Sequence, residues 1–403
     1  MISTFRGLPP VVWTVFAGTI VNRLGYLVTP FLVFFLAARG VTGAESTYVL
    51  GALGAGNLLG PALGGLLADR IGRRSTMLIG LLGASAAQGA LFAAPGVLTM
   101  AAAALLISAT GAMISPAAYA LMADSVDAGR RQRAYALFGW GVNIGTAAAG
   151  VLGGFLAAHG FWLLFAIDVA TMLIYAVIVA TRLRETRPAR QDKDSGADAD
   201  AAADGMGYGV VLRDRLLLAL LPLFGVQLFV YSLTEVALPL AIRDSGLSPA
   251  VYGTMAAVNA VLVVVLQPVA TAGLARLPQL PVQAAGSVLI AAGVALTGVA
   301  DSIAMYTVSV AVWSLGEVMV AGIAASMVAG LAPAHARGRY QGAFQWTWGV
   351  ARFGALTLGV TAYTSLGPAV LWWSALLAGL LTSALTLALR SRVSQRMEHD
   401  LAA

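Results

Sequence analysis

The sequence predicts an all-α membrane protein that crosses the bilayer many times, and three observations carry that expectation. Hydrophobic residues fill 59% of the 403 positions and charged residues only 10%, against roughly 25% charge in a soluble domain. Apolar residues gather in runs near 11–38, 46–68, 75–94, 97–122, 134–158, 161–181, 216–242, 250–275, 281–299, 303–331, 340–363 and 368–389, each long enough to span as a helix of about 20 residues. Of the 24 Lys and Arg, all but Arg23, Arg39, Arg243 and Arg352 then fall on one side. That asymmetry marks the cytoplasmic face, and an even number of spans puts both termini there.

The first run, Val11 to Ala38, is too long for a signal peptide and lacks a charged start and cleavage site, so it is expected to stay as a helix. Between the second and third runs, Asp69, Arg70, Arg73 and Arg74 fall within six residues. Each such charge costs roughly 2.5 to 3.5 kcal/mol at a helix centre in the membrane, so this stretch is a tight hairpin in water. Gly64 and Gly65 permit close helix approach and Gly72 supplies the turn. The fourth run ends in Asp124, Asp127, Arg130, Arg131 and Arg133, expected to be solvated, as is Arg337 to Arg339 before the eleventh.

Between the sixth and seventh runs lies Arg182 to Asp214, whose core Gln191 to Gly205 has no large apolar residue. It cannot bury enough surface to offset its ordering entropy and is expected to be a flexible cytoplasmic linker. The organisation is therefore a six-helix half (1–181), the linker (182–214), a second six-helix half (215–390) and a cytoplasmic tail (391–403). The halves look related: Asn22 to Pro30 in the first run and Tyr231 to Pro239 in the seventh both place a polar cluster shortly before a Pro, 209 positions apart.

Composition also excludes. The chain has no Cys, and His159, His335 and His399 are far apart in sequence, which leaves no thiolate chemistry and no His-based metal site. The formal charge of +6 is explained by the cytoplasmic loops without nucleic acid. No HExxH stands in the sequence and no extramembrane domain accompanies the spans, so an enzyme or sensor is not expected, and no cofactor.

Written GxxxDRxGRR, the stretch Gly65 to Arg74 resembles the signature loop between helices two and three of the major facilitator superfamily, with Gly65, Asp69, Arg70, Gly72, Arg73 and Arg74 all in place. The resemblance implies that fold: twelve transmembrane helices in two pseudo-symmetric six-helix halves, with substrate bound between the halves at the midplane. It further implies that Asp69 contacts the start of the eleventh helix, here Tyr340 to Gly342, and an Arg of 130–133, latching the cytoplasmic side. Helix five carries Gly145, Gly150, Gly153 and Gly154, which resembles the antiporter motif GxxxGPxxGG of drug and proton exchangers. Ala149-Gly150 stands where Gly-Pro is expected, so the close packing is kept without the Pro kink.

Five ionisable residues remain inside the spans: Arg23, Asp168, Glu235, Glu317 and Arg352. Such residues are costly and functional by default. By resemblance helices one, four, seven and ten line the cavity, which places Arg23, Glu235 and Glu317 there. Glu317 is the first candidate proton carrier and Glu235 the second, the latter equally a gate ion pair. Asp168, on a peripheral helix, reads as packing or capping. Asn22 and Tyr26 beside Arg23, Gln227 and Tyr231 below Glu235, Asn259 and Gln267, and Gln345 and Trp348 beside Arg352 complete a roomy, mostly apolar substrate pocket, although single amides in membrane helices are more often interhelical bonds.

The expected function is secondary active transport by alternating access, namely proton-driven efflux of lipophilic drug-like compounds. The alternative is proton symport or facilitated import of a small nutrient such as a sugar. The expected partners are a small-molecule substrate, protons and the lipid bilayer, the expected form is a monomer, and the expected location is the bacterial inner membrane.

Overall fold

The computed structural model describes residues 5–41, 43–157, 160–186, 207–247 and 249–402. The linker core Gln191 to Gly205 and His159 lie outside the described residues. Among the described residues every regular element is helical. The first half comprises α1 (Pro10–Leu24), α2 (Val28–Ala38), α3 (Gly43–Ile71), α4 (Arg73–Ala93), α5 (Val97–Ser125), α6 (Ala128–Ala157) and α7 (Phe161–Arg182). A short α8 (Gly209–Arg213) leads into α9 (Arg215–Val236), α10 (Leu238–Asp244), α11 (Pro249–Leu274), α12 (Gln279–Leu296), α13 (Ile303–Val320), α14 (Ile323–Leu331), α15 (Arg337–Gly354), α16 (Pro368–Ala388) and α17 (Arg390–Ala402). By length and composition, 9 helical stretches among the described residues could cross a membrane. The other three predicted runs are helical as well: the interrupted first one, the Gly-rich α6 and the polar α15.

Several spans are interrupted, which the apolar pattern does not reveal. The first breaks between Leu24 and Val28 and the seventh at Ala237. Pro30 and Pro239 then occupy the first turns of α2 and α10, where a missing N–H is harmless. The related halves are thus jointed at matching places. The tenth span breaks at Gly322, whose φ of 74° suits only glycine and whose Cα is pressed against α6, so that a Cβ would lie 2.6 Å from the Gln132 carbonyl oxygen. Beyond α15 the eleventh span widens into π-helical turns at Ala355–Gly359 and Ala362–Leu366, a feature that recurs at functional sites.

Small residues set the helix spacing. Gly56, Gly60 and Gly64 recur every fourth residue along α3 and meet α5, where a Cβ on Gly64 would lie 2.6 Å from Met113 Cα. With lipid outside as apolar as the interior, close backbone approach rather than hydrophobic burial drives such pairs.

The described ends of the linker, and the tail, are tied to the rest of the molecule. The Glu185 carboxylate accepts from the Arg74 and Ser75 N–H groups (3.0 and 2.9 Å) and so caps the start of α4. Asp214 accepts from the Leu216 and Leu217 N–H groups (3.0 and 3.1 Å) and caps α9. Val393 of α17 is buried. Each of these short stretches is held by a helix terminus that needs a partner for its orphan N–H groups, or by an apolar face.

The apolar core shows how the halves sit. One buried cluster, from Phe5 and Ala117 to Phe224, Ile323 and Tyr340, spans both halves at the end carrying the Asp69 hairpin. At the opposite end each half keeps its own cluster, around Leu36 and Phe165 in the first and around Leu238 and Trp372 in the second. Among the described residues the buried apolar core is shared by the halves at the hairpin end and separate in each half at the other.

Gly60→Leu should lower unfolding stability in detergent by about 1 to 3 kcal/mol through overpacking. Gly89→Leu, at a glycine with open space around it, should leave thermal melting close to that of the parent protein. Equal melting of the two variants would contradict the packing account.

Candidate functional site

Halfway along their spans, α9, α11 and α13 converge on one carboxylate. The Glu317 side chain is half-buried; its Oε1 accepts from the Tyr231 hydroxyl (3.1 Å) and its Oε2 from Asn259 Nδ2 (2.8 Å), which also reaches Ser314 Oγ (3.0 Å). Trp313 and Trp348 meet the Tyr231 ring edge to face, at 5.9 and 6.0 Å between centroids. Tyr231 and Glu235 are one helical turn apart, so they share a face. Glu235 pairs with Arg352 across α9 and α15 at 2.7 Å, with side chains 42% and 66% exposed. The predicted stripe therefore runs from a half-enclosed acid to an open ion pair, and the eleventh span turns π-helical directly after Arg352.

The lower end of that stripe is different. Gln227 is buried and accepts from Gln283 Nε2 of α12 (3.0 Å). Gln267 is buried in α11, near the point where Trp140 Nε1 donates to the Val264 carbonyl (3.0 Å). Both amides sit toward the hairpin end, where the halves close and the interior is dry, so they face packed helices in this state.

In the first half, the Arg23 guanidinium lies over the Tyr26 ring at 5.4 Å, and both side chains are half-buried, as is Asn22. Gly145 of α6 abuts Arg23, and a Cβ there would overlap that of Arg23. The helix-five glycine thus fixes the height of the arginine. Gly150, Gly153 and Gly154 continue the same helix. Gln345 of α15 lies within reach of the Tyr119 hydroxyl of α5, across the halves. A surface groove of about 550 Å³, lined by Leu8, Trp13, Thr14, Ile178 and Arg182, lies apart from all five membrane-embedded ionisable residues.

The hairpin end is closed by charge. Asp69 Oδ1 accepts from the Gly338 N–H (2.9 Å) and Oδ2 from the Arg339 N–H and Nε (2.9 and 3.1 Å). Arg73, with its side chain 0% exposed, lies between Asp69 (3.5 Å) and Asp124 (3.0 Å), and Arg337 reaches Asp124 from the other half (2.6 Å). This corrects the expectation that Asp69 meets Tyr340 to Gly342 and an Arg of 130–133. The contact falls at the first turn of α15, where unpaired N–H groups and a positive dipole end attract a carboxylate, and the partners are Arg73 and Arg339. Arg339 is buried and not the solvated residue its position suggested.

Gly65 and Gly338 make this contact possible, since a Cβ on Gly338 would lie 2.6 Å from the Gly65 carbonyl oxygen and 2.7 Å from Asp69 Oδ1. Arg74 crosses to the end of α7, where Nη2 donates to the Ala180 carbonyl (2.7 Å). Sequence reasoning missed Tyr208, at the linker end. Its hydroxyl donates to the Ala62 carbonyl (2.7 Å) and sits between Gly65 and Gly342. Burial and the nearby Asp69 charge push that hydroxyl well above the usual tyrosine range, so it stays a neutral donor. A lone aromatic in a low-complexity stretch was the available signal.

The hairpin, the two jointed halves and the half-enclosed acid of the second half agree with a sequence profile, that of the Major Facilitator Superfamily, which matches residues 15–356. The chain belongs to that superfamily. It is 25% identical over 338 residues to the uncharacterized MFS-type transporter YhjO of Bacillus subtilis (strain 168), covering 84% of this chain and 81% of that protein. It is 23% identical over 352 residues to a second such protein of that organism, YqjV, with 84% and 83% covered. The fold is that of the human organic anion transporter MFSD10 (TETRAN), at a TM-score of 0.75 and 18% identity over 94% of this chain and 100% of that one. It is equally that of the proton:xylose symporter XylE, at 0.71 and 16%, with 94% of each covered. As a superfamily member the protein is a multi-pass secondary transporter and not an enzyme.

Removing the Asp69 charge leaves Arg73 and Arg339 buried with less compensation, a loss of about 3 kcal/mol, which shifts the open-to-closed ratio at this end about 100-fold. Because the chain has no Cys, Ala62→Cys gives a single reporter at the seam. Thiol labelling of that cysteine should be slow in the parent and much faster with Asp69→Asn. An unchanged rate would contradict the latch.

Proposed function

We propose that this transporter is a proton-coupled exporter of lipophilic compounds in the bacterial inner membrane, and that the structure is its outward-facing state. Lys and Arg crowd the hairpin end, which makes it the cytoplasmic end under the positive-inside rule; the closed side then faces the cytoplasm and the parted side the exterior. The observation that carries the reading is the Glu317 carboxylate, held by Tyr231 and Asn259 halfway across the membrane.

Both neighbours donate to the carboxylate, so they support its charged form while the outer side is wet. Closing that side withdraws water, and a charge in such a place is strongly disfavoured. A proton taken up by Glu317 removes the penalty and lets the halves rock. On the cytoplasmic side, return of water and arrival of substrate favour its release. The Glu235–Arg352 pair, one turn further out, is the gate element. Arg23, stacked on Tyr26, supplies the first half with a fixed positive charge for polar substrate groups, while Trp313, Trp348 and Tyr231 give the apolar walls that suit lipophilic compounds. Gln227 and Gln267 belong to the cytoplasmic half of the pathway and become accessible when that side opens. The unit of transport is the monomer, needing only substrate, protons and bilayer.

In proteoliposomes with an imposed pH gradient, a panel of lipophilic cations, neutral drugs and sugars should yield gradient-driven movement of lipophilic compounds only. Glu317→Gln should abolish that driven movement and leave downhill exchange intact. Proton-driven accumulation of a sugar, or full active transport by Glu317→Gln, would overturn the proposal.

A further inference from the structure

Asp168 takes no part in the site described above. It sits on α7, 1% exposed, among apolar residues that include Met172 and Phe165. Its Oδ2 accepts a long bond from the Val28 N–H (3.4 Å), the first residue of α2, and its Oδ1 has no hydrogen-bond partner. The Gln88 side chain of α4 is within hydrogen-bonding reach, and Gln88 Oε1 likewise has no partner. Asp168 Oδ1 and Gln88 Oε1 are thus two buried oxygens, each without a donor in hydrogen-bonding geometry.

The surroundings hold little charge. Arg23 on α1 acts on Asp168 electrostatically, and Tyr175 lies two turns along α7 itself. In the parts of α2, α4 and α6 that pack near it, the sequence has no ionisable side chain. An ionised Asp168 in this position would be a buried anion with no ion-pair partner in contact, supported by the Val28 and Leu27 N–H groups, the Gln88 amide and the field of Arg23, a state that still costs several kcal/mol. One proton on Oδ1 removes the charge and supplies the O–H that Gln88 Oε1 lacks.

The place is also a joint. The first span breaks between Leu24 and Val28, with Gly25 pressed so closely on Thr171 of α7 that a Cβ would collide; Gly18, two turns below, is pressed equally on Tyr175. The Thr171 hydroxyl donates to the Asp168 carbonyl (2.9 Å). Any change of angle at Gly25 therefore moves Val28 and Arg23 relative to the Asp168 carboxyl.

We propose that Asp168 is a second proton-binding site, in the N-terminal half, occupied in this state and vacated when the first span re-angles at Gly25. It rests on the proton-coupled reading above and adds a site to it. The proton comes from water and returns to water. On its departure the bond that Oδ2 already accepts from the Val28 N–H becomes charge-assisted at the positive end of α2, and Arg23 attracts the carboxylate.

Infrared difference spectroscopy on the full-length protein in bilayers, stepped in pH without added substrate, reads the proton itself. The expected result is a protonated-carboxyl C=O band that titrates in the parent, persists in Glu317→Gln and is lost in Asp168→Asn, whose amide oxygen keeps the Val28 bond. If no such band is lost, or if the band stays at every pH, the proposal is overturned. Should Asp168→Asn fail to reach the membrane, Gln88→Leu serves instead: loss of the acceptor should shift the band to higher frequency, and an unshifted band overturns the site. Driven transport by Glu317→Gln alongside the expected spectra would sink the proposed function and leave this site standing.

Discussion

The Asp69 carboxylate, gripped by two backbone N–H groups and two buried guanidinium groups, is the interaction the rest of the structure depends on. Charges at the edge of a membrane interior are tolerated only when each is matched, and here the partners come from α4, α5 and α15. Arg73 ties α3 to α4 and reaches Asp124 at the end of α5, while Gly338, Arg337 and Arg339 belong to the other half. The network is therefore satisfied only when the halves are closed at this end. With that end shut, the other is free to part, and the separate apolar clusters there follow.

Glycine is the material that lets such networks form. Gly65 and Gly338 bring two backbones close enough for a carboxylate to meet amides, Gly322 turns the tenth span against α6, and Gly145 lets α6 settle against Arg23. In a medium where apolar burial gives no preference between helix faces, these clearances decide which faces meet. The breaks at Gly25 and Ala237 then place a joint in each half beside a buried or half-buried acid, Asp168 in one and the Tyr231–Glu317 pair in the other.

Much of this was legible in the sequence, for identifiable reasons. The spans follow from apolar length, and the hairpin from charges that cannot lie in hydrocarbon. The convergence of Tyr231, Glu235, Asn259 and Glu317 was foreshadowed by the cost of burying ionisable groups and by four-residue spacing on α9. What stayed hidden depends on tertiary contact. The carboxylate of Asp69 selects amides at the first turn of α15, and no spacing in the sequence says which turn is nearest. Gln227 shares a face with Tyr231 yet is dry, because the halves close below it. Tyr208 and Glu185 belong to a linker whose composition signals disorder, but one ring and one carboxylate are enough to dock its ends.

The central claim is that the two ends open in alternation, with the Asp69 contacts holding one shut. Spin-label distances test it on a chain without native Cys, using Ser125→Cys with Arg276→Cys at the hairpin end and Ala38→Cys with Asp301→Cys at the other. As pH is stepped across a bilayer-embedded sample, the account predicts that one distance lengthens as the other shortens. Distances that change together, or a hairpin-end pair that lengthens while the opposite pair stays wide, would contradict it.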